Sequence, residues 1–208
     1  MMKFILDLGS GNTCLNDVTI IKDMIHAVSE VDPERKFILK WQLFKKAGDN
    51  IPLTHGSFFT AYDVASRYGY QTTASVFDEE SLNYLMKFDI PFIKIACVPE
   101  LYPLISLIPR KFSVIASIEQ EYAFIGYPGI IKLACVRRYP ADVSEYLDNF
   151  TRALYKGISD HTINWNLFRK YSPEIYECHF CIRHNNTDPD SGVYSRTPED
   201  LKQIYNLI

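Results

Sequence analysis

Two short stretches near the C-terminal end place a histidine at the close of a strand-like run: Gly157-Ile158-Ser159-Asp160-His161-Thr162 and Glu177-Cys178-His179-Phe180. Side chains alternate faces along a strand, so Gly157, Ser159 and His161 share one face, and Glu177 and His179 share one face. Two neutral imidazoles meeting at one rim would hold a divalent cation with coordination positions left open, as a Lewis-acid site requires. A single strand histidine is more often a hydrogen-bonded core residue than a ligand. Only the pair, with the polar residues that accompany it, points to a site.

Those residues have to be positioned by elements, and eight runs rich in β-branched and aromatic side chains offer them: Lys3-Gly9, Lys36-Gln42, Gln71-Phe77, Phe92-Cys97, Phe112-Ile118, Ile130-Val136, Tyr155-His161 and Glu174-Phe180. Between and after them, Asp17-Val31, Ser57-Tyr68, Glu79-Lys87, Glu100-Leu107, Ala141-Leu154, Thr162-Lys170 and Pro198-Ile208 show the three- and four-residue apolar spacing of helices. The stretch from Glu119 to Gly129 is too short and too rich in glycine and proline for a full helix, so one crossover is degenerate. Eight such units predict a closed (β/α)8 barrel, a minimal single domain over residues 1–208. An open doubly wound sheet is the alternative, weakened because Gly9-Ser10-Gly11 lacks the third glycine of a dinucleotide-binding turn.

In such a barrel the working residues sit where strands end, and the last inward positions form a polar set. They are Asp7, Lys40, Gln42, Ser75, Lys94, Ser117, Arg137, Ser159, His161, Glu177 and His179. Unpaired ions inside a barrel cost several kcal/mol each, so their presence points to a site that uses the charge. Lys40, Lys94 and Arg137 would make a cationic cup for a substrate carrying phosphate and carboxylate together; taken singly, Lys94 could instead simply pair with Glu177.

The chain has 208 residues, 47% of them hydrophobic, and a net charge of -3. That supports one sizeable core, and it argues against a general nucleic-acid binder and for small-molecule partners. The apolar run from Ile90 to Ile108 is broken by Lys94, Glu100 and prolines, so it is no membrane span; with no signal-peptide pattern, a cytoplasmic location is expected. Five cysteines, three of them in strand-like runs, suit reduced buried thiols. Cys178-His179-Phe180-Cys181 has a C-x-x-C spacing, but no second pair completes a structural zinc site.

Lys40-Trp41-Gln42, Ala74-Ser75-Val76-Phe77-Asp78, Lys94-Ile95-Ala96-Cys97, Cys135 through Tyr139-Pro140, the Gly157–Thr162 segment, Glu177-Cys178-His179-Phe180 and Asp188-Pro189-Asp190 follow in order. Together they resemble the N-acetylneuraminate (sialic acid) synthases. The resemblance implies a barrel enzyme that condenses phosphoenolpyruvate with an N-acetylated sugar aldehyde such as N-acetylmannosamine, giving a nonulosonic acid and phosphate. It implies a divalent metal, manganese foremost with magnesium or cobalt as substitutes, held by His161 and His179, and a compact, barrel-only member without the family's antifreeze-like domain. Asp7, Glu100 and Asp190 would be the catalytic carboxylates. Lys40, Gln42, Ser75, Lys94, Ser117, Arg137, Tyr139 and Ser159 would hold substrate, and a homodimer would be compatible with the family.

The chain also departs from that pattern. Asp7 stands for a first-strand Glu, Gly11-Asn12 for Asn-His, Cys97-Val98-Pro99-Glu100 for Ser-x-Glu, Ala116-Ser117-Ile118 for Ser-Thr-Gly, and Val136-Arg137-Arg138 for a Thr-containing run before Tyr-Pro. Arg137 would either supply a bidentate phosphate contact or fill the site. Two other readings follow: a catalytically impaired descendant that binds a sugar or phosphate, or serves as a partner protein, and an aldolase in which Lys94 forms a Schiff base.

Overall fold

The computed structural model describes residues 2–45, 48–119, 129–147 and 154–208. Its eight strands run β1 Lys3–Asp7, β2 Phe37–Leu43, β3 Gln71–Val76, β4 Ile93–Ile95, β5 Val114–Ile118, β6 Ile130–Cys135, β7 Gly157–Asp160 and β8 Ile175–His179. They close in sequence order into one barrel, and every neighbouring pair is parallel. This is the expected (β/α)8 architecture. Most strands are shorter than the expected runs, trimmed at one end or both, while β2 keeps its length and is shifted by one residue to end at Leu43.

Helices cover the outside: α1 Gly11–Cys14, α2 Val18–Val31, α3 His55–Arg67, α4 Glu79–Leu85, α5 Val143–Leu147, α6 Asn166–Tyr171 and α7 Pro198–Lys202. Side-chain oxygens set several of their starts. Ser10, Asp17, Thr54 and Asp78 each accept from a first-turn amide, and Thr197 with Asp200 completes a capping box. The stretch after β4 differs from the expected α-helix. With Pro99 at its start and Pro103 inside it, Pro99–Leu107 winds as a 3-10 helix, since proline withholds the amides an α-helix would need. The expected degenerate crossover after β5 and the second half of the expected Ala141–Leu154 helix fall largely outside the described residues.

Two apolar layers hold the molecule together. Outward strand residues such as Phe4, Leu6, Leu39, Trp41, Ile95 and Tyr176 pack under the helices. Inside the barrel, Ile5, Ile38, Phe92, Ile115, Leu133 and Ile175 make a separate plug. One pleat above that plug the register lines up Asp7 with Lys40 and His179, Gln42 with Ser75, Ser75 with Lys94, and Ser159 with both Cys135 and Glu177. Parity thus raises a polar layer directly above the apolar one, at the end of the strands where loops begin. Among the described residues no helix is long and apolar enough to cross a membrane.

Candidate active site

That polar layer is the floor of a cavity of about 590 Å³. Its centre is an ion network. Lys40 Nζ donates to Asp7 Oδ2 at 2.6 Å and to Ser75 Oγ at 3.0 Å, and lies 3.8 Å from Glu177 Oε2. Lys94 Nζ sits 3.3 Å from Glu177 Oε1 and donates to Ser117 Oγ at 2.7 Å and to the Ile95 carbonyl at 3.1 Å. Ser159 Oγ donates to Glu177 Oε1 at 2.8 Å. Both lysines and both carboxylates are buried.

Burial alone would raise both carboxyls. The ammonium of Lys40 outweighs it at Asp7, and Lys40 with Lys94 outweighs it at Glu177, so both stay below the usual carboxylate range. Burial would lower Lys40, but Asp7 and Glu177 hold it above its ordinary value. At Lys94 burial wins, aided by the charge of Lys40, and its ammonium is lowered.

The histidines stand at the rim of the same cavity, their ring centroids 5.4 Å apart and their planes at 52°. His161 Nδ1 lies 2.6 Å from the Val136 carbonyl, which can only accept, so Nδ1 carries the proton and Nε2 presents its lone pair. Burial first, and the neighbouring His179 second, push His161 down to about 3, and it is neutral. Its backbone is held by Tyr146 of α5, whose hydroxyl donates to the Ser159 carbonyl at 2.7 Å and accepts from the His161 amide at 3.2 Å. Nothing in the sequence pattern around Tyr146 announces that role.

Asp190 arrives from the loop after β8. Asp188 accepts from the Asp190 amide at 2.9 Å, and the Asp190 carboxylate takes hydrogen bonds from Gln42 Nε2 at 3.1 Å and Ser10 Oγ at 3.4 Å. It lies 3.6 Å from His179 Nδ1, and burial raises its carboxyl. Gly9 makes this approach possible: its φ is +80°, and a Cβ there would stand 2.9 Å from Asp190 Oδ2. Tyr139 and Tyr194 wall the mouth, Tyr139 4.1 Å from the His161 ring and 5.0 Å from Tyr194.

The NeuB family model matches residues 34–208. The chain belongs to the NeuB family. Among solved structures, the N-acetylneuraminic (sialic) acid synthetase from Leptospira borgpetersenii serovar Hardjo-bovis, in complex with citrate, is 17% identical over 99% of this chain and 81% of its own, with a TM-score of 0.77. The spore coat polysaccharide biosynthesis protein E from Chromobacterium violaceum is 18% identical over 99% and 73%, TM-score 0.74. A truncated 3-deoxy-D-arabino-heptulosonate 7-phosphate synthase from Thermotoga maritima is 13% identical over 99% and 86%, TM-score 0.67. At such identities the likeness speaks for the fold. No curated protein sequence matches the chain.

Within this NeuB barrel, Asp7, Lys40, Gln42, Ser75, Lys94, Ser117, Arg137, Tyr139, Ser159, His161, His179 and Asp190 all border one cavity. Glu100 does not. It is exposed in the first turn of the 3-10 helix, because Pro99 turns the chain outward before the carboxylate can reach the barrel mouth. Glu177 lines the cavity as well, and with Asp7, Asp188 and Asp190 makes four carboxylates around it. Arg137 neither fills the floor nor completes the cup: it borders the rim, with its side chain 42% exposed and its Nε 2.7 Å from Glu119 Oε2.

The Asp160 of the Gly157–Thr162 segment points the other way. It is buried behind the barrel, accepts from the Thr162 amide, the Tyr176 hydroxyl and Arg196 Nη2, and Arg196 itself stacks over Trp165. It ties β7 to the loop that carries Asp190.

The donor set can be tested for a divalent cation. Among the described residues no three His, Cys, Asp or Glu side chains already form a cage. The two imidazoles nevertheless suit the group. His161 offers Nε2, His179 Nδ1 is buried with no hydrogen-bond partner, and the carboxylates of Asp190 and Asp7 lie within 3.6 and 3.8 Å of that nitrogen. Charge points the same way, since Lys40, Lys94 and Arg137 face four carboxylates, Asp7, Glu177, Asp188 and Asp190, around the cavity. The excess is negative, and an anionic substrate needs a further cation.

Proposed function

We propose that this chain is a sialic acid synthase-like enzyme that joins C3 of phosphoenolpyruvate to the aldehyde carbon of an N-acetylated sugar, releasing phosphate and forming a nonulosonic acid. The observation that carries this reading is the stacking of two buried ammonium groups, Lys40 and Lys94, beneath a rim holding two imidazoles, in a cavity large enough for both substrates. Family membership supports it.

Lys40, Lys94 and the hydroxyls of Ser75, Ser117 and Ser159 would receive the phosphate and carboxylate of phosphoenolpyruvate, charge-assisted donors in a water-poor floor. His161 and His179, with Asp190 beside them, would hold a divalent cation, manganese foremost, which when bound polarises the aldehyde oxygen. Asp190, 3.6 Å from His179 Nδ1, would add its carboxylate to that cation as the loop closes over the site. Glu177 Oε2, buried without a hydrogen-bond partner, is placed to take a proton from the water that adds to C2 before the C–O bond to phosphate breaks. Tyr139 and Tyr194 offer ring faces to the sugar at the mouth.

The Schiff-base reading has one support, the lowered Lys94 ammonium, but the paired rim imidazoles suit metal rather than imine chemistry and rank it last. The binding-protein reading keeps one: the carboxylate of Glu100 stands outside the cavity. Purified protein given phosphoenolpyruvate, manganese and a panel of N-acetylated aldoses decides between them. Sugar-dependent phosphate release with a product carrying the added three-carbon acid is the expected result. Tight phosphoenolpyruvate binding with no release for any aldose would favour the binding protein, and absence of both would overturn the proposal.

A further inference from the structure

Arg196 lies behind the barrel wall just before α7, 2% exposed, and does not border the cavity. Its main chain holds the end of β8: the Arg196 amide donates to the His179 carbonyl at 2.8 Å, and the Arg196 carbonyl accepts from the Cys181 amide at 3.0 Å. Its side chain holds the segment around His161. Nη2 donates to Asp160 Oδ2 at 3.2 Å and to the Asn164 carbonyl at 2.8 Å, and Nη1 donates to the Thr162 carbonyl at 2.8 Å. The guanidinium carbon lies 4.6 Å from the Trp165 ring centroid, so the fork is also held by its face. One residue thus grips the backbone of one rim histidine and both chain neighbours of the other.

That grip falls where the sheet gives out. The β7–β8 register ends with Asp160 opposite Cys178, and His161 stands one residue beyond β7, so that ladder does not set its distance from His179. A metal–imidazole bond is about 2.1 Å long, and two rings share one ion only when their placement is held within about 0.5 Å. A planar guanidinium suits this task, because its donors are fixed relative to one another. As a device for stability alone the Arg196–Asp160 pair would be a poor choice, since a well-packed apolar pair of similar volume usually does as well or better.

We propose, on the reading that the two imidazoles hold a divalent cation, that Arg196 is a positioning residue for that cation. It sets the spacing of His161 and His179, through its main chain on one and its side chain around the other. Without the fork, His179 keeps its place in β8 while the His161 segment is free to shift, and the ion is held by a mismatched pair.

The test is manganese binding by the chelator-treated full chain, read from the loss of the free-ion electron paramagnetic resonance signal. It is run at a temperature where circular dichroism shows each variant folded. Arg196→Met removes the fork but strands the buried Asp160 carboxylate, so Asp160→Asn with Arg196→Met removes the ion pair as a whole. Affinity should fall about 10–100-fold in both. Arg196→Lys should lose affinity as well, since a point charge cannot span the three acceptors. Phe92→Ala, which loosens the barrel away from the rim, should bind manganese as the wild type does. Wild-type affinity in the Asp160→Asn, Arg196→Met variant, or an equal loss in Phe92→Ala, would overturn the proposal and leave Arg196 a structural residue. A wild type that binds no manganese overturns the rim-cation reading and this inference with it, so the two failures are told apart by which protein fails to take up the ion.

Discussion

The lower and upper halves of the barrel interior are built by the same strands, yet a step of two residues changes apolar to polar: Ile5 to Asp7, Ile38 to Lys40, Phe92 to Lys94, Ile115 to Ser117, Leu133 to Cys135 and Ile175 to Glu177. The lower half stabilises the fold by removing apolar surface from water, about 25 cal/mol per Å². The upper half opposes it, since each buried ion costs several kcal/mol unless its neighbours offset the loss of hydration. That offset is what the Asp7–Lys40–Glu177–Lys94 chain supplies. Stability and chemistry are thus separated by one pleat.

The largest effects should come from exchanging those roles. Replacing Lys94→Met and Glu177→Leu together removes a buried pair and leaves Lys40 with Asp7. Stability should be unchanged or higher by about 1–4 kcal/mol, while phosphate release falls by on the order of 10²-fold or more. Phe92→Ala, one pleat below, should do the reverse: a loss of about 3–5 kcal/mol in urea unfolding, with release per folded molecule retained. If the double variant kept its activity, the upper layer would be structural and the comparison would fail.

How much of this the sequence disclosed follows from periodicity. Alternation over five or six residues fixes which face a strand side chain takes, so the eight strands, the inward lysines and the histidine pair were all legible. The errors lie where parity has no hold. Glu100 enters as a catalytic carboxylate only through the family resemblance, and past Cys97 the backbone leaves the strand and Pro99 redirects it away from the cavity. Asp160, opposite His161 by parity, is outward as expected and anchors Arg196. Helix α1 was missed because four residues have no apolar period; only the Ser10 cap marks it. The role of Tyr146 depends on contacts across the chain that no local pattern carries.

A smaller effect is expected where the Asp190 loop meets β1. Gly9→Ala would force an L residue to φ +80° and set a Cβ 2.9 Å from Asp190 Oδ2 and 2.1 Å from Thr13 Oγ1. The cost should be about 1–3 kcal/mol, visible as a lowered urea midpoint, with a further loss of turnover because Asp190 is displaced. Full activity at reduced stability would show that Asp190 has no part in the chemistry.

The rim histidine contributes through pH. His161 stays neutral in the fold down to about 3, whereas its ordinary value is 6.5. Between those values the unfolded chain binds the extra proton, so stability falls as pH falls, by up to about 1.4 kcal/mol per pH unit. Asp7 and Glu177, held low, add their own loss only as pH falls through the ordinary carboxylate range, roughly 4. Chelator-treated protein unfolded in urea from about pH 6 to about pH 4.5 should show the slope, and His161→Gln should flatten it. An unchanged slope in the variant would assign the dependence elsewhere.

Arg137 should have the smallest effect on the fold, and it tests where the polar layer ends. Its ion pair with Glu119 lies at a rim open to solvent, 42% exposed on the arginine side, and such pairs contribute about 0–1 kcal/mol. Arg137→Ala should therefore leave the urea midpoint nearly unchanged. If the guanidinium turns from Glu119 to an entering phosphate, the contact exists equally in ground and transition states. KM for phosphoenolpyruvate then rises while kcat holds. Added salt should narrow the gap between variant and wild type, since an exposed charge is screened within about 10 Å at 0.1 M. A fall in kcat would mean that the charged layer reaches the rim and that Arg137 belongs with Lys40 and Lys94; no change in either constant would confine the anion site to the two buried lysines.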